Sequence, residues 1–309
     1  MLMRVIAVSR FGGPGSLNLL DIPQPVPGDG DVRVRIAARA VNPIDVLLRS
    51  GALSSFVPAR NFYIPGFDFA GTVSAVGAGV TSVDAGARVI GISPWFVTQA
   101  GSYADEVVVP ADAVAPAPTT ADAVDAATLP LNGVTAWLAV DAVDAKPGAT
   151  IVVTGAAGGV GGFAVQLAAA RGATVIGVAA PGDAPLLGSL GATATVPRNV
   201  DLAPEIARIA PDGVDAVIDA ASLGRIDLVR DGGRFAAVLG PAAPVPERGV
   251  AVETVQHTPD GALLGRLSAA VDAGAVTLRV ARILPLDQAA RGHELYEAGG
   301  VRGRIVLAD

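Results

Sequence analysis

Four residues suited to a buried strand, Ile151-Val152-Val153-Thr154, run straight into Gly155-Ala156-Ala157-Gly158-Gly159-Val160-Gly161 and then into an apolar stretch ending at Arg171. A strand, a glycine-rich turn and a helix in that order open a βαβ unit, and the glycine spacing limits what the turn can hold. In a dinucleotide-binding turn the first glycine makes the tight bend, the second lets backbone approach a pyrophosphate, and the third lets helix and strand pack closely. Ala156, Gly158 and Gly161 stand in those places, so the first glycine is replaced. Backbone N–H groups from Gly155 to Gly161, with Gly159 and Val160 among them, and the positive helix end still face an anion. The competing reading is a packing turn in an ordinary α/β domain.

The surroundings favour the dinucleotide. Strands expected at Thr150–Thr154, Thr174–Val178, Ala216–Ile218 and Arg234–Leu239 are interspersed with helical or loop segments, including a helix from Val160 to Arg171. That rhythm belongs to a doubly wound parallel sheet. Ahead of it, from Val5 to about Val114, short alternating segments such as Val32 to Ala38 are broken at Gly28–Asp31 and Gly77–Gly79, which predicts a β-rich unit. Asn42 to Gly51 reads as a short helix with Asn42 as its cap, Pro43 in its first turn and Gly51 ending it. The Pro/Ala-rich connector Pro110–Pro118 marks the first domain boundary. After Asp260 a helix ending near Ala273 precedes strands at Arg279–Leu284 and Arg304–Val306 and a helix from Leu286. The expected division is therefore 1–117, 118–267 and 268–309, in a chain of 309 residues.

Composition removes several chemistries. The chain has no cysteine and only two histidines, His257 and His293. Thiolate catalysis, disulfides and cysteine-ligated metals are thus excluded, and a zinc site would have to be built from histidine and carboxylates. The charge of −7 without a basic block argues against nucleic acid or an anionic membrane as partner. No apolar run reaches membrane-spanning length, and Met1 to Val8 reads as a first strand, so a cytoplasmic protein is expected.

At the end of the second nucleotide-domain strand, an acid about 20 residues beyond the turn would hold a ribose 2′-hydroxyl. Here the chain has Val178-Ala179-Ala180, which favours NADPH over NADH. Arg198 is the candidate partner of the 2′-phosphate; its other reading is a solvated loop arginine.

Arg10-Phe11-Gly12-Gly13-Pro14, Val41 to Asp45, Pro65 to Gly71, Ala100 to Ala104, Leu129 to Trp137, Gly155 to Gly161, Gly232-Gly233-Arg234 and Gly303 to Leu307 complete a pattern in order along the whole chain. With these the chain resembles the zinc-free quinone oxidoreductase (zeta-crystallin-like) branch of the medium-chain dehydrogenase/reductase superfamily. The resemblance implies a GroES-like catalytic domain formed by the N-terminal part and the tail, a Rossmann domain between them, and the cofactor in the cleft. Gly66-Phe67-Asp68 replaces the Gly-His-Glu of zinc-dependent relatives, so no metal ligands are expected. Asn42 matches a contact to the nicotinamide ribose, Thr135 a position beside nicotinamide and phosphates, and Gly158, Gly159 and Val160 the pyrophosphate turn. Three departures stand out. Ala180-Pro181-Gly182 takes the place of Ser, Lys or Arg, Arg198 that of a tyrosine, and the stretch from Asp219 to Gly232 is short enough to cost part of a helix.

The implied reaction is metal-free hydride transfer from NADPH to a quinone or α,β-unsaturated carbonyl, by a homodimer acting on a small molecule. A biosynthetic enoyl-thioester reductase and a non-catalytic NADPH-binding protein are the alternatives. Without a metal, hydrogen-bond donors must polarise the acceptor. Tyr63 is the tyrosine nearest the expected substrate loop, with Asn42 and Thr135 completing the catalytic set; solvent is the other proton source. Asp45 and Asp68 either line the cleft or cap turns, and His257 either faces substrate or sits in a junction loop.

Overall fold

In the computed structural model of the chain, which describes residues 1–256 and 258–309, the alternation of Val32, Val34 and Ile36 with Arg33 and Arg35 produces a strand buried on one face. Strand β1 (Leu2–Val8) pairs antiparallel with β2 (Leu17–Pro23). The larger sheet is built around β3 (Asp31–Ala40), with helix α1 (Pro43–Ser50), β4 (Asp68–Val76), β5 (Arg88–Ile92), the short α2 (Trp95–Thr98), β6 (Glu106–Pro110) and β7 (Val114–Pro116) following in the chain. Helix α1 begins as its residues dictate. Asn42 is extended, Pro43 supplies the fixed first φ, and the Asp45 carboxylate accepts the Asn42 backbone N–H at 2.8 Å. Gly51, at φ 87°, ends it in the left-handed conformation.

The expected connector at Pro110–Pro118 is in part a strand. Val114–Pro116 pairs with β5, and the chain stays with the β-rich unit through helix α3 (Ala123–Ala126) to Leu131. Arg88 donates to the Ala121 carbonyl at 2.7 Å and so holds the segment there. Pro116 at the end of this edge strand, with Pro110 and Pro118 to either side, gives a sequence that reads as a linker.

Helix α4 (Pro130–Ala142) leads into β8 (Thr150–Thr154), α5 (Gly159–Ala170), β9 (Thr174–Ala179), α6 (Ala184–Ser189), β10 (Ala194–Pro197), α7 (Leu202–Ile209), β11 (Val214–Asp219), β12 (Val229–Ala237) and β13 (Ala251–Thr254). These six strands form one parallel sheet in the order β10-β9-β8-β11-β12-β13. Val152, Ile176, Val178, Val217 and Phe235 are buried at its core. At ~1.5–3 kcal/mol for each large apolar side chain taken out of water, such a cluster is the main source of the unit's stability. The shortened stretch after Asp219 holds a single 3₁₀ turn, Ile226–Leu228, in place of a crossover helix.

The remaining elements are α8 (Gly261–Asp272), β14 (Val280–Leu284), α9 (Ala289–Ala298) and β15 (Arg304–Ala308). Strand β15 pairs with β3, completing the order β14-β15-β3-β4-β5-β7 with β6 also on β3. Helix α8 belongs with the β-rich unit, so the chain returns to it at Thr258, ten residues before the expected 268. Ser268 donates to the Pro116 carbonyl at 2.7 Å, and Asp272 accepts the N–H groups of Thr119 and Thr120 at 3.1 and 2.9 Å. Among the described residues no helix is long and apolar enough to cross a membrane.

Candidate functional site

The glycine turn sits at the carboxyl end of β8, where the strand order reverses between β8 and β11. A crevice outside that reversal is where ligands of open α/β sheets bind. Gly155, at φ 61°, makes the bend itself, one residue before the place assigned to the first glycine. This is why Ala156 is tolerated: it is fully buried, and its N–H donates to the Val178 carbonyl at 3.1 Å. Gly158 caps α5 at φ −76°, an angle open to any residue. Gly161 is the constrained position, because a Cβ there would lie 2.2 Å from the Gly155 carbonyl oxygen. The strand ends at the reversal are tied by Asp219, which accepts the Thr154 hydroxyl at 2.5 Å and the N–H groups of Leu223 and Gly224 at 3.1 and 2.8 Å. Sequence reasoning passed over Asp219, although an acid ending an apolar strand is a visible signal.

At the neighbouring strand ends, Pro197 of β10 lies opposite Ala179 of β9, and the Arg198 N–H donates to the Ala179 carbonyl at 2.7 Å. Arg198 is thereby placed beside Ala180. Its side chain is exposed, with no hydrogen bond or ion pair among the described residues. The corner also carries an acid that the sequence reading did not weigh. Asp183, four residues beyond the strand, is buried and accepts the Ala180 N–H at 3.1 Å. Thr135 is buried on α4.

In the β-rich unit Asn42 is the hub of a buried polar cluster. Its Nδ2 donates to Asp68 Oδ2 at 2.8 Å and to the Ala40 carbonyl at 3.2 Å, while its Oδ1 accepts from Arg304 at 2.6 Å. Both amide protons and one lone pair are thus committed inside the unit. Asp68 also accepts the Leu131 N–H at 2.6 Å and lies 3.6 Å from the Arg304 guanidinium. Asp45, besides capping α1, accepts from Gly66 N–H at 2.9 Å and from the Tyr103 hydroxyl at 3.4 Å. Tyr103 in turn meets His293 Nε2 at 3.1 Å.

Burial dominates the electrostatics of this cluster. It pushes Asp45 up to about 7, against the backbone N–H donors of Asn42 and Gly66 that favour the carboxylate. Asp68 is pushed up to about 6, held back by Arg304 and Asn42. Burial and the nearby Arg49 take His293 down to about 3, and burial lowers Arg304 while raising Tyr103. Both carboxylates are fully buried members of the cluster, Asp45 capping α1 and Asp68 tethering Asn42 to Leu131. Arg304, Tyr103 and His293 were not legible as its partners, because they lie from 58 to 262 residues away from theirs.

Tyr63, the proton-donor candidate, is buried. Its hydroxyl donates to the Pro58 carbonyl at 2.9 Å and accepts the Arg60 N–H at 3.2 Å, and its ring stacks on Phe11. Phe67 is buried against Trp95 and Phe96. No group of three His, Cys, Asp or Glu among the described residues is placed to hold a metal ion. The chain has no thiol, and among the described residues His293 Nε2 is engaged with Tyr103. His257 lies outside the described residues.

A parallel sheet with a glycine turn at its reversal, joined in sequence to a β-rich unit, defines the class of two-unit nucleotide-dependent dehydrogenases and reductases. Residues 28–119 match the alcohol dehydrogenase GroES-like domain and residues 190–307 the zinc-binding dehydrogenase family. The quinone oxidoreductase of Sus scrofa is 30% identical, with 99% of this chain and 98% of that one covered. A mycobacterial protein solved in complex with NADPH superposes with a TM-score of 0.85 at 30% identity, covering 99% of this chain and all of that one. A structure described as an NAD-dependent alcohol dehydrogenase gives 0.88 at 32% with the same coverage. The chain belongs to the quinone oxidoreductase branch of the medium-chain dehydrogenase/reductase superfamily.

Proposed function

We propose that this protein reduces a quinone or an α,β-unsaturated carbonyl with NADPH and without a metal ion. The observation that carries the reading is the turn from Gly155 to Gly161 at the sheet reversal, where Gly161 leaves no room for a side chain. When bound, NADPH supplies the hydride, and a proton from water completes the two-electron reduction. The chain's own residues position. The N–H groups of Gly159 and Val160 and the start of α5 receive the pyrophosphate, while Gly158, whose own N–H donates to the Gly155 carbonyl at 2.8 Å, lets the backbone come close to it. Thr135 adds a hydroxyl near the nicotinamide. Asn42 offers the one uncommitted lone pair of its Oδ1 to a ribose hydroxyl, held rigid by Asp68 and Arg304. Tyr63 anchors its own loop.

The preference for NADPH over NADH rests on the unpaired Arg198 guanidinium beside Ala180. Arg198→Ala is expected to weaken NADPH by roughly 1.5–3 kcal/mol, the value of a charged hydrogen bond, and to leave NADH unchanged. Equal binding of the two cofactors by wild type would refute the preference. The metal-free reading is supported by the missing thiols and predicts activity after exhaustive chelation. A cytoplasmic homodimer is the proposed form, with β13 offering an open sheet edge to a second copy. The deciding experiment is stopped-flow NADPH oxidation against quinones, enones and enoyl thioesters. Turnover of quinones or enones is expected. Turnover of thioesters alone, or tight binding without any turnover, would replace the reading.

A further inference from the structure

Strand β11 ends at Asp219 and its parallel neighbour β12 begins at Val229, too short a span for the crossover of about a dozen residues or more that such pairs ordinarily take. Ile226 and Leu228 of the 3₁₀ turn fill the core where a crossover helix would lie. The loop ahead of them is exposed from Ala221 to Leu223. Ser222 is held there at φ 57°, a left-handed angle unfavourable to a residue with a Cβ.

One buried acid holds this loop. Asp219 Oδ1 accepts the Thr154 hydroxyl at 2.5 Å and the Leu223 N–H at 3.1 Å, and Oδ2 accepts the Gly224 N–H at 2.8 Å. Thr154 Oγ1 in turn accepts the Ala221 N–H at 3.1 Å. Three N–H groups of the loop are thereby tied to the ends of β11 and β8, and β8 runs straight into the glycine turn. The loop also lies against that turn: a Cβ on Gly155 would stand 3.3 Å from the Ala220 carbonyl and from the Ala221 Cβ. Gly155 is thus wedged between the loop and α5, where Gly161 meets its carbonyl oxygen. A shift of the loop must pass into the turn, because close-packed backbone has no free volume to absorb it. Strained residues persist where their surroundings over-determine them, and they cluster at ligand sites. The Ser222 hydroxyl has no hydrogen-bond partner among the described residues.

We propose that Asp219 is a positioning residue for the dinucleotide. Through Thr154, Leu223 and Gly224 it locks loop 220–224 as the β11 wall of the crevice, which keeps the glycine turn in its binding geometry and presents the Ser222 hydroxyl to the ribose–phosphate chain of the cofactor. The inference rests on the cofactor reading given above.

The test is fluorescence titration of the whole protein with NADPH and with NADH, beside a thermal melt of each variant. Asp219→Asn keeps the shape but turns an NH2 group on one of its present donors, and should raise the Kd of both cofactors roughly tenfold in folded protein. The equal effect separates it from Arg198→Ala, which touches NADPH alone. Thr154→Val should weaken both cofactors likewise, and Thr154→Ser, which returns the hydroxyl, should restore them. Ser222→Gly should raise the melting temperature by removing the strain and weaken both cofactors by removing the hydroxyl, a pairing that a purely structural loop would not produce. A wild-type Kd in either folded Asp219→Asn or Ser222→Gly would overturn the proposal and leave the cofactor reading standing. Wild-type protein that binds neither nucleotide would overturn both. Ser222 is exposed, so its variant remains informative if Asp219→Asn does not fold.

Discussion

Alanine at Gly161 sets two opposing effects against each other. In a helix interior, alanine is favoured over glycine by ~1 kcal/mol, so propensity alone predicts a more stable protein. At Gly161, however, the new Cβ would stand 2.2 Å from the Gly155 oxygen, 2.7 Å from its carbonyl carbon and 3.0 Å from the Ala156 Cα. All three atoms are backbone, and none can swing aside as the tip of a side chain would. Helix α5 must shift away from β8, an overpacking of the kind that costs ~1–3 kcal/mol and occasionally more. Gly265 in α8 is the control, with nothing within 4 Å of its Cβ position. Gly265→Ala is expected to gain ~1 kcal/mol and Gly161→Ala to lose up to ~2 kcal/mol net once the propensity gain is set against the overpacking. Urea denaturation of both variants, followed by circular dichroism, reads the opposite shifts in midpoint. NADPH titration in the absence of urea then shows whether the displaced turn still binds. A Gly161→Ala protein at least as stable as wild type would refute the close approach of helix and strand.

Three further outcomes follow from the buried groups. The cost of His293→Gln should shrink by about 1.4 kcal/mol per pH unit below about 6.5, because the unfolded histidine takes up a proton that the folded one, held at about 3, does not; a pH-independent cost would contradict this. Arg304→Met should destabilise by ~3–5 kcal/mol by leaving Asp68 buried without its cation, and a loss below ~1 kcal/mol in urea would show the pair to be dispensable. Asp183→Asn should raise the ratio of NADPH to NADH affinity several-fold by removing a negative charge from the corner that holds Arg198, and an unchanged ratio in fluorescence titration would place that carboxylate out of reach.

What the sequence disclosed was local. Ile151 to Gly161 announces its strand, turn and helix because each choice depends on neighbours a few residues away, and Asn42, Pro43, Asp45 and Gly51 delimit α1 for the same reason. Val114–Pro116 was hidden because proline at an edge strand looks like a connector, and its pairing with β5 is not a local property. The bend at Gly155 was misplaced by one residue because the spacing of a motif does not state which residue adopts the left-handed angle.

The polar cluster was hidden more deeply, since its members come from β3's end, α1, β4, the 102–104 segment, α9 and β15. Read singly, Asp45 and Asp68 could cap turns or face a substrate. Their burial accounts for their partners: a carboxylate removed from water must spend its oxygens on donors, and the donors present are Asn42, Gly66, Tyr103, Leu131 and Arg304. The same reasoning limits Asn42. With both amide protons donated and one oxygen lone pair filled, it can only accept one more hydrogen bond, so any ribose it meets must act as donor. Asn42→Asp therefore removes the two donated hydrogen bonds and sets a third carboxylate beside Asp45 and Asp68, while keeping the acceptor. If the residue serves the cofactor through that acceptor alone, the variant loses stability and retains cofactor affinity wherever it is folded. A folded Asn42→Asp protein with weakened NADPH binding would show that the cofactor uses the amide as donor and that the cluster rearranges to release it.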